Sequence, residues 1–186
     1  GATYNVTGTI TDIGSVANTF SYELNDNTKA ANYEITKVEG TLTINKITNE
    51  IVITADSNEK VYDGQPLTDN GYTYTEDVLA EGDVLTAVVE GSQTDVGTAA
   101  NKVTSYKVMR GETDVTANYT FGESVNGTLK ITKRSVTLTS ATDSKTYDGT
   151  PLTNDKVTVG GEGFVEGEGA TYNVTGTITD IGSVAN

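Results

Sequence analysis

Hydrophobic and polar residues alternate over short stretches of this chain, which is the pattern of β-strands with one buried face. In residues 135–139, Val136 and Leu138 fall on one face and hydroxyl side chains fall on the other. Similar patterns predict further strands at residues 4–7, 41–44, 84–89, 128–131 and 172–175. No window of about 11 residues carries the i, i+3, i+4 apolar spacing of a helix. The pattern therefore predicts an all-β fold.

Gly-containing dipeptides separate these strands and can supply the positive φ of tight turns. They are Asp63-Gly64, Asn70-Gly71, Asn126-Gly127 and Asp148-Gly149. The spacing gives about seven short strands in each stretch of some 85 residues. This count suits immunoglobulin-like sandwich modules of two antiparallel sheets, in tandem. A β-grasp-like, mostly-β sheet is the alternative, although no helix long enough to cross such a sheet is predicted.

The chain repeats itself at two scales. Its first eighteen residues, GATYNVTGTITDIGSVAN, return unchanged as residues 169–186. A weaker repeat spaces paired motifs about 85 residues apart. The pairs are Tyr62-Asp63-Gly64 with Tyr147-Asp148-Gly149, Pro66-Leu67-Thr68 with Pro151-Leu152-Thr153, Glu81-Gly82-Asp83 with Glu166-Gly167-Glu168, Thr94-Asp95-Val96-Gly97 with Thr179-Asp180-Ile181-Gly182, Asn101 with Asn186, Ala31-Asn32-Tyr33 with Ala117-Asn118-Tyr119, and Gly40-Thr41-Leu42 with Gly127-Thr128-Leu129. Such periodicity predicts a window of a longer repeat array.

We divide one period into two module types. Residues 47–133 form a complete module of type B, whereas type A is split into a C-terminal half, residues 1–46, and an N-terminal half, residues 134–186. A half-module exposes an apolar face and unpaired strand edges. We therefore expect the halves of different chains to complete one another by strand complementation. The alternative division makes residues 19–101 and 102–186 the two modules, with residues 1–18 a remnant.

The junction between modules contains few flexible residues. From Gly40 to Asp56 no further Gly or Pro occurs, so a terminal strand is expected to pass almost directly into the next module. Such a short connector leaves little freedom for hinge motion, which predicts an elongated, stiff rod.

Composition narrows the class of protein. The chain has 12 Lys and Arg against 26 Asp and Glu, a formal net charge of −14, and no Cys, His or Trp. This charge disfavours nucleic acid and anionic membrane surfaces as partners. Without thiol or imidazole, disulfides and the usual Cys/His or Ser/His catalytic pairs are excluded. We expect no enzymatic activity, no cofactor and no membrane insertion in this segment.

The order of the motifs along the chain resembles that of a known family of repeats. Tyr-Asp-Gly, Pro-Leu-Thr, a Gly-Asp turn, Thr-Asp-Val-Gly, Asn-Tyr and a closing Gly-Thr-Leu-x-Ile-Thr resemble the YDG and MBG-type tandem repeats of large bacterial cell-surface adhesins. The resemblance covers the whole chain. It implies an extracellular, mostly-β stalk module on a bacterial cell surface, between a binding domain and a cell-envelope anchor, and it carries over no catalytic residues.

Three kinds of candidate site are predicted. The recurring motif of Tyr62, Asp63, Gly64 and of Tyr147, Asp148, Gly149 is interpreted as a structural turn, with Asp bonding the nearby backbone and a buried Tyr. Calcium is a weaker prediction because no EF-hand loop is present. Its candidate ligands are Asp26, Asp95, Asp114 and Asp180. A side-chain crosslink is a further hypothesis, with Lys60, Lys145, Gln65 and Asn118 as candidates.

The favoured function is a structural stalk segment that projects another binding domain, with neighbouring repeats of the same protein as end-to-end partners. One alternative is a weak glycan- or protein-binding module that acts by avidity. Another is a fibre subunit that assembles through complementary half-modules.

Overall fold

The computed structural model describes all 186 residues of the chain. Its regular structure consists of strands and of two single-turn 3-10 helices, Ala30–Asn32 and Thr116–Asn118, which confirms the predicted all-β class. The strands in chain order are Ala2–Val6 (β1), Gly14–Asn18 (β2), Phe20–Leu24 (β3), Gly40–Ile44 (β4), Glu50–Ile51 (β5), Ile53–Ala55 (β6), Asn58–Val61 (β7), Tyr72–Tyr74 (β8), Asp83–Glu90 (β9), Gly97–Arg110 (β10), Thr113–Asp114 (β11), Thr120–Phe121 (β12), Gly127–Thr132 (β13), Val136–Ser140 (β14) and Val157–Gly161 (β15). None of the helices is long and apolar enough to span a membrane.

The chain is divided into two compact units. The first unit comprises Gly1–Asp56, Asn70–Glu90 and Lys102–Gly127, and the second comprises Ser57–Asp69, Gly91–Asn101 and Thr128–Asn186. The module bounds inferred from the repeats, with residues 47–133 as the complete module, stay a prediction.

Most pairs of strands are antiparallel. In the first unit β1 pairs with β3, β2 with β4, and β6 with β8, while β9 and β11 pair with β10. In the second unit β14 pairs with β15, and β13 lies between β10 and β7. Two pairs are parallel, β5 with β12 and β7 with β13, which differs from the antiparallel sheets expected. A parallel pair joins segments that are distant along the chain, so alternation within each strand does not reveal it.

Each unit has its own hydrophobic core, where strand alternation turns apolar side chains inward. The first core is built from Ile51, Ile53, Leu85, Val108, Val115 and Tyr119. The second core is smaller and contains Leu67, Leu129 and Ile131, with Tyr62 packed against it. Burial at these positions supplies the main stabilisation of each unit.

The duplicated eighteen residues adopt two different states. The first copy contains β1 and β2, which pair with β3 and β4. In the second copy the corresponding residues, 170–174 and 182–186, form no strand, so the strand predicted at residues 172–175 is wrong. An isolated strand leaves its backbone groups without ladder partners. Identical sequence therefore forms strand only where a partner strand accompanies it.

The predicted Gly turns divide into two classes. Gly64 and Gly149 have φ of 76° and 74°, as expected for Asp-Gly turns. Gly71 and Gly127 do not have positive φ, so the turns predicted for the two Asn-Gly pairs are wrong in this respect. Gly127 instead begins β13, where a Cβ would collide with the Asp56 carbonyl oxygen. Close approach of two backbones, and not a turn, requires glycine there.

Candidate functional site

The first Tyr-Asp-Gly turn is organised around an ammonium group. Lys60 Nζ donates to Asp63 Oδ1 at 2.7 Å and to the Gln65 carbonyl oxygen at 2.7 Å. Asp63 Oδ1 also accepts from the Gln65 backbone N–H at 2.9 Å, which closes an Asx turn. The hydrogen bond from Lys60 holds the pKa of the Asp63 carboxyl below its ordinary value. The contacts are those of a charge-stabilised turn.

The second turn repeats the arrangement with one change of residue. Lys145 Nζ donates to Asp148 Oδ1 at 2.8 Å and to Thr150 Oγ1 at 2.6 Å. Asp148 Oδ1 accepts from the Thr150 backbone N–H at 3.0 Å and from its hydroxyl at 2.7 Å. The Lys145 hydrogen bond, followed by those of Thr150, lowers the pKa of Asp148 far below its ordinary value. Both turns thus place a carboxylate of lowered pKa beside a lysine.

The tyrosines of the two turns differ. Tyr62 packs against the second core, and its hydroxyl donates to Glu168 Oε1 at 2.5 Å. This hydrogen bond to an anion raises the pKa of the Tyr62 phenol. Tyr147 is 61% exposed, so the burial expected of the motif's tyrosine fails there. Glu168 lies in the predicted N-terminal half of type A, residues 134–186. The hydrogen bond from Tyr62 therefore joins two predicted modules.

Equivalent residues of the two repeats make equivalent contacts. Leu67 forms an isolated antiparallel bridge with Gln93, and Leu152 forms the same bridge with Ile178. Asn101 donates its side-chain amide to the Asp69 carbonyl oxygen at 2.9 Å. At the matching positions, Asn186 donates to the Asn154 carbonyl oxygen at 2.8 Å. These are scaffold contacts that fix the path of the backbone.

In one of these equivalent contacts the asparagine and the aspartate exchange positions between the two repeats. Asn58 Nδ2 donates to Asp69 Oδ2 at 2.9 Å. In the other repeat Asp143 takes the place of Asn58 and Asn154 that of Asp69, and Asn154 Nδ2 donates to Asp143 Oδ2 at 3.1 Å. The hydrogen bond is thus kept while donor and acceptor change sides.

Asn118 bridges the two sides of the junction that the repeats predict after residue 46. Asn118 Nδ2 donates to Asp12 Oδ1 at 3.0 Å, and Asn118 Oδ1 accepts from the Ile13 backbone N–H at 3.3 Å. The connector between β4 and β5 is bound as well, because the Ile47 carbonyl oxygen accepts from Thr120 Oγ1 at 2.7 Å. The contact at Ile47 restrains this connector within the first unit.

A charged pair inside the first unit was not identified as a site from the sequence. The Asp83 side chain is fully buried, with Arg110 Nε at 2.6 Å from Oδ1 and Nη2 at 2.9 Å from Oδ2. Tyr119 donates its hydroxyl to the same carboxylate at 2.5 Å and accepts from the Ala80 N–H at 2.9 Å. The Arg110 hydrogen bonds lower the pKa of Asp83, whereas burial raises the pKa of Tyr119.

The recurrence of Glu81-Gly82-Asp83 and of Ala-Asn-Tyr pointed to Asp83 and Tyr119 as repeated positions. Nothing in the sequence signalled that they meet, because Arg110 and the two partners come from three separate segments.

The structure does not bring the calcium candidates together. No group of three or more acidic side chains is placed to hold a metal ion. Asp114 accepts from the Thr116 backbone N–H at 2.9 Å, and this turn lowers its pKa through Thr116. Asp26, Asp95 and Asp180 lie in separate turns and loops.

The crosslink candidates also find other partners. Lys60 contacts Asp63 and the backbone of Gln65, Lys145 contacts Asp148 and Thr150, and the Asn118 amide contacts Asp12. It is the backbone carbonyl oxygen of Gln65 that accepts from Lys60 Nζ.

No protein-family model, curated protein or solved structure matches the chain.

Proposed function

We propose that this chain is a structural stalk segment of a bacterial cell-surface adhesin or fibre, whose modules hold a binding domain away from the cell. The observation that carries the proposal is the contact-by-contact correspondence between repeats 85 residues apart. The contacts that the repeats share fix the path of the backbone. A protein whose role is to keep shape retains such contacts in every copy.

The swapped pair strengthens this proposal. Asn58 with Asp69 and Asp143 with Asn154 keep one hydrogen bond although both residue types have changed. Retention of a bond through a double change indicates that the local geometry matters more than the chemistry of either group. A ligand site would depend on the residue types themselves.

The module connectors fit a stiff rod. Three residues separate β13 from β14, and five separate β4 from β5. The second connector is bound at Ile47 to Thr120. Arg134, within the first connector, donates to the Gly163 carbonyl oxygen at 2.7 Å and to the Glu162 carbonyl oxygen at 2.6 Å. Connectors that are short and bound at both junctions restrict bending.

The surface charge suits an exposed array. A net charge of −14 keeps neighbouring copies apart and soluble at high density. The resemblance of the ordered motifs to adhesin repeats agrees with an extracellular position. We place no catalytic or cofactor role in the chain.

Small-angle X-ray scattering on chains of one, two and three 168-residue periods tests the proposal. At about 3.3 Å per strand residue we expect each module to add very roughly 35–40 Å, so the maximum dimension should rise by about 70–80 Å per period. A matched series with a Gly-Ser insertion after Ile44 should rise more slowly. Growth of the unmodified series with the square root of its length, as in a flexible chain, would contradict the stalk.

A further inference from the structure

Two motifs that recur along the chain meet in the first unit. The first motif, Thr-Asp-Ile-Gly or Thr-Asp-Val-Gly, occupies residues 11–14, 94–97 and 179–182. The second motif, Ala-Asn-Tyr, occupies residues 31–33 and 117–119. One copy of each comes together because Asn118 forms hydrogen bonds with both Asp12 and Ile13. The contact thus joins two motifs for which the turns of the Tyr-Asp-Gly type give no role.

The turn of the first motif has a similar backbone shape in every copy. Its glycine has a positive φ at all three positions, 134° at Gly14, 149° at Gly97 and 152° at Gly182. Glycine adopts this region without the steric cost of a Cβ. The copies at Gly97 and Gly182 keep the shape without a contact to Asn118. The conformation that Asn118 binds is therefore set by the sequence of the turn itself.

The segment that carries the asparagine also has the same shape in both copies. Each copy of Ala-Asn-Tyr ends a 3-10 helix, Ala30–Asn32 in one and Thr116–Asn118 in the other. In both, the backbone N–H of the tyrosine donates to the carbonyl oxygen of the first helical residue, at 3.0 Å from Tyr33 and at 3.2 Å from Tyr119. The asparagine is thus the last helical residue in each module type.

The asparagine binds the turn at two points. Asn118 Nδ2 donates to Asp12 Oδ1 at 3.0 Å, and Asn118 Oδ1 accepts from the Ile13 backbone N–H at 3.3 Å. A primary amide offers a donor and an acceptor side by side, so one side chain can bind a carboxylate and the following backbone N–H together. The site therefore fits a turn that has an acceptor side chain followed by a backbone donor.

A guanidinium group makes the site favourable for a carboxylate. Arg110 binds the buried Asp83 through both carboxylate oxygens, while its own side chain stays 37% exposed. The pKa of Arg110 is raised chiefly by the hydrogen bonds to Asp83, and the negative charge of Asp12 adds to this rise. Opposite charges attract, so a cation near the turn favours an acidic residue at the position of Asp12.

The connector is attached next to the same asparagine. The Ile47 backbone N–H donates to the Asn118 carbonyl oxygen at 3.3 Å, and the Ile47 carbonyl oxygen accepts from Thr120 Oγ1 at 2.7 Å. The Ile47 side chain packs against the first core. Residues 1–46 are thus attached to the rest of the first unit at the connector and again at Asp12. Two separate attachments oppose rotation about either one.

We propose that the Asn118 side chain is a docking site for the Thr-Asp-x-Gly turn of the preceding module, and that this docking fixes the rotation of one module about the connector to the next. The partner is a turn of the same repeat array, recognised by its aspartate and by the backbone N–H that follows. Both motifs occur in both module types, so the sequence supplies the same pair of groups for either kind of junction. This inference deepens the proposed stalk function and rests on it.

Asn118→Asp tests the docking site with a side chain of the same shape. The variant keeps an acceptor for the Ile13 N–H, but it loses the donor to Asp12 and sets two carboxylates against each other. Hydrogen exchange of the Ile13 backbone amide, followed by nuclear magnetic resonance, should accelerate by about three- to tenfold, which corresponds to one net hydrogen bond. Asn32→Asp, at the equivalent helix end, is the control and should leave this exchange unchanged.

Adding Asp12→Asn to Asn118→Asp should restore slow exchange at Ile13. Donor and acceptor then change sides, as they do naturally between Asn58–Asp69 and Asp143–Asn154. Asp180→Asn changes the identical turn of the second unit, so it is the matched control and should not restore slow exchange. A double variant whose Ile13 amide exchanges as fast as in Asn118→Asp alone overturns the docking site.

A distance measurement tests whether the docking fixes orientation. The chain has no cysteine, so nitroxide labels can be attached through Glu23→Cys in β3 and Thr86→Cys in β9, both exposed positions of the first unit. Pulsed electron double resonance should give a narrow distribution of label distances. The distribution should become at least about twofold broader with Asn118→Asp and narrow again when Asp12→Asn is added. A width that Asn118→Asp leaves unchanged overturns the proposal, because the contact then does not fix orientation.

The two proposals can fail separately. If the exchange and distance tests fail while the maximum dimension of the tandem chains still grows linearly, the docking site is wrong and the stalk stands. If the scattering series grows like a flexible chain, the stalk itself is wrong, even where the Ile13 amide responds to Asn118→Asp as expected.

Discussion

The Tyr119 hydroxyl donates to Asp83 Oδ2 at 2.5 Å inside the first unit, where Arg110 binds the same carboxylate through both of its oxygens. The Asp83 side chain is completely buried and Tyr119 is almost so. A buried carboxylate is stable only when its hydrogen bonds are satisfied. These three residues therefore form a polar centre that fixes how β9, β10 and the segment before β12 meet.

Removing the Tyr119 hydroxyl should destabilise the first unit. We expect Tyr119→Phe to lower the free energy of unfolding by about 1.5–3 kcal/mol, the range for a hydrogen bond to a charged group. Denaturant unfolding followed by circular dichroism measures it. Tyr33→Phe is the control at the equivalent position, which is 63% exposed, and it should change the free energy by less than about 0.5 kcal/mol. Equal effects of the two variants would contradict the buried polar centre.

The polar centre at Asp83 should make the free energy of unfolding depend on pH in the acid range. The pKa of Asp83 is held below its ordinary value by the Arg110 hydrogen bonds. The ionised Asp83 carboxylate therefore contributes its full stabilisation above the unfolded-chain pKa of about 3.9. This contribution to the free energy of unfolding is lost as the pH falls through the folded-state pKa. The difference in unfolding free energy between the natural chain and Asp83→Asn should shrink between about pH 5 and pH 2. A difference that stays constant over that range would show that Asp83 does not titrate in this way.

Tyr62 should ionise at higher pH than an exposed tyrosine. Its hydrogen bond to Glu168 raises the pKa of the phenol, so the neutral form persists above the ordinary value of about 10. The titration of Tyr62 is obtained from ultraviolet difference spectra between the natural chain and Tyr62→Phe. In a Glu168→Gln background the same difference should move to lower pH. A difference spectrum that Glu168→Gln leaves unmoved would contradict the hydrogen bond between Tyr62 and Glu168.

A glycine that faces an asparagine should tolerate no side chain. A Cβ at Gly91 would lie 2.8 Å from both the Ala100 carbonyl oxygen and Asn101 Oδ1. We expect Gly91→Ala to destabilise the second unit by about 1–3 kcal/mol through overpacking. Gly169→Ala, in open surroundings, should be neutral or stabilising by about 0.4–1 kcal/mol. Thermal unfolding of the two variants side by side checks the contrast, and similar midpoints would refute it.

The local sequence pattern was sufficient to predict many of the strands and turns. Alternation correctly predicted β4, β9, β13 and β14, and the Asp-Gly pairs correctly predicted two turns with positive φ. The repeat alignment also matched positions that make equivalent contacts, such as Asn101 and Asn186. These features depend on neighbouring residues or on comparison of the chain with itself.

What sequence reasoning missed depends on partners distant in the chain. The parallel pairing of β7 with β13 joins segments about 70 residues apart, and no pattern inside either strand specifies it. The duplicated segment is the clearest case, since the same letters are strand at residues 2–6 and not at residues 170–174. The centre at Asp83 was missed for the same reason, because its arginine lies on another strand.

The exchanged pair at Asn58–Asp69 and Asp143–Asn154 has a consequence for how such a gene can change length. Recombination between the two repeat types with a breakpoint between the paired positions would set two carboxylates, or two amides, against each other. Breakpoints a whole 168-residue period apart leave each donor with its own acceptor. Unequal crossing-over by complete periods therefore keeps this hydrogen bond in every module.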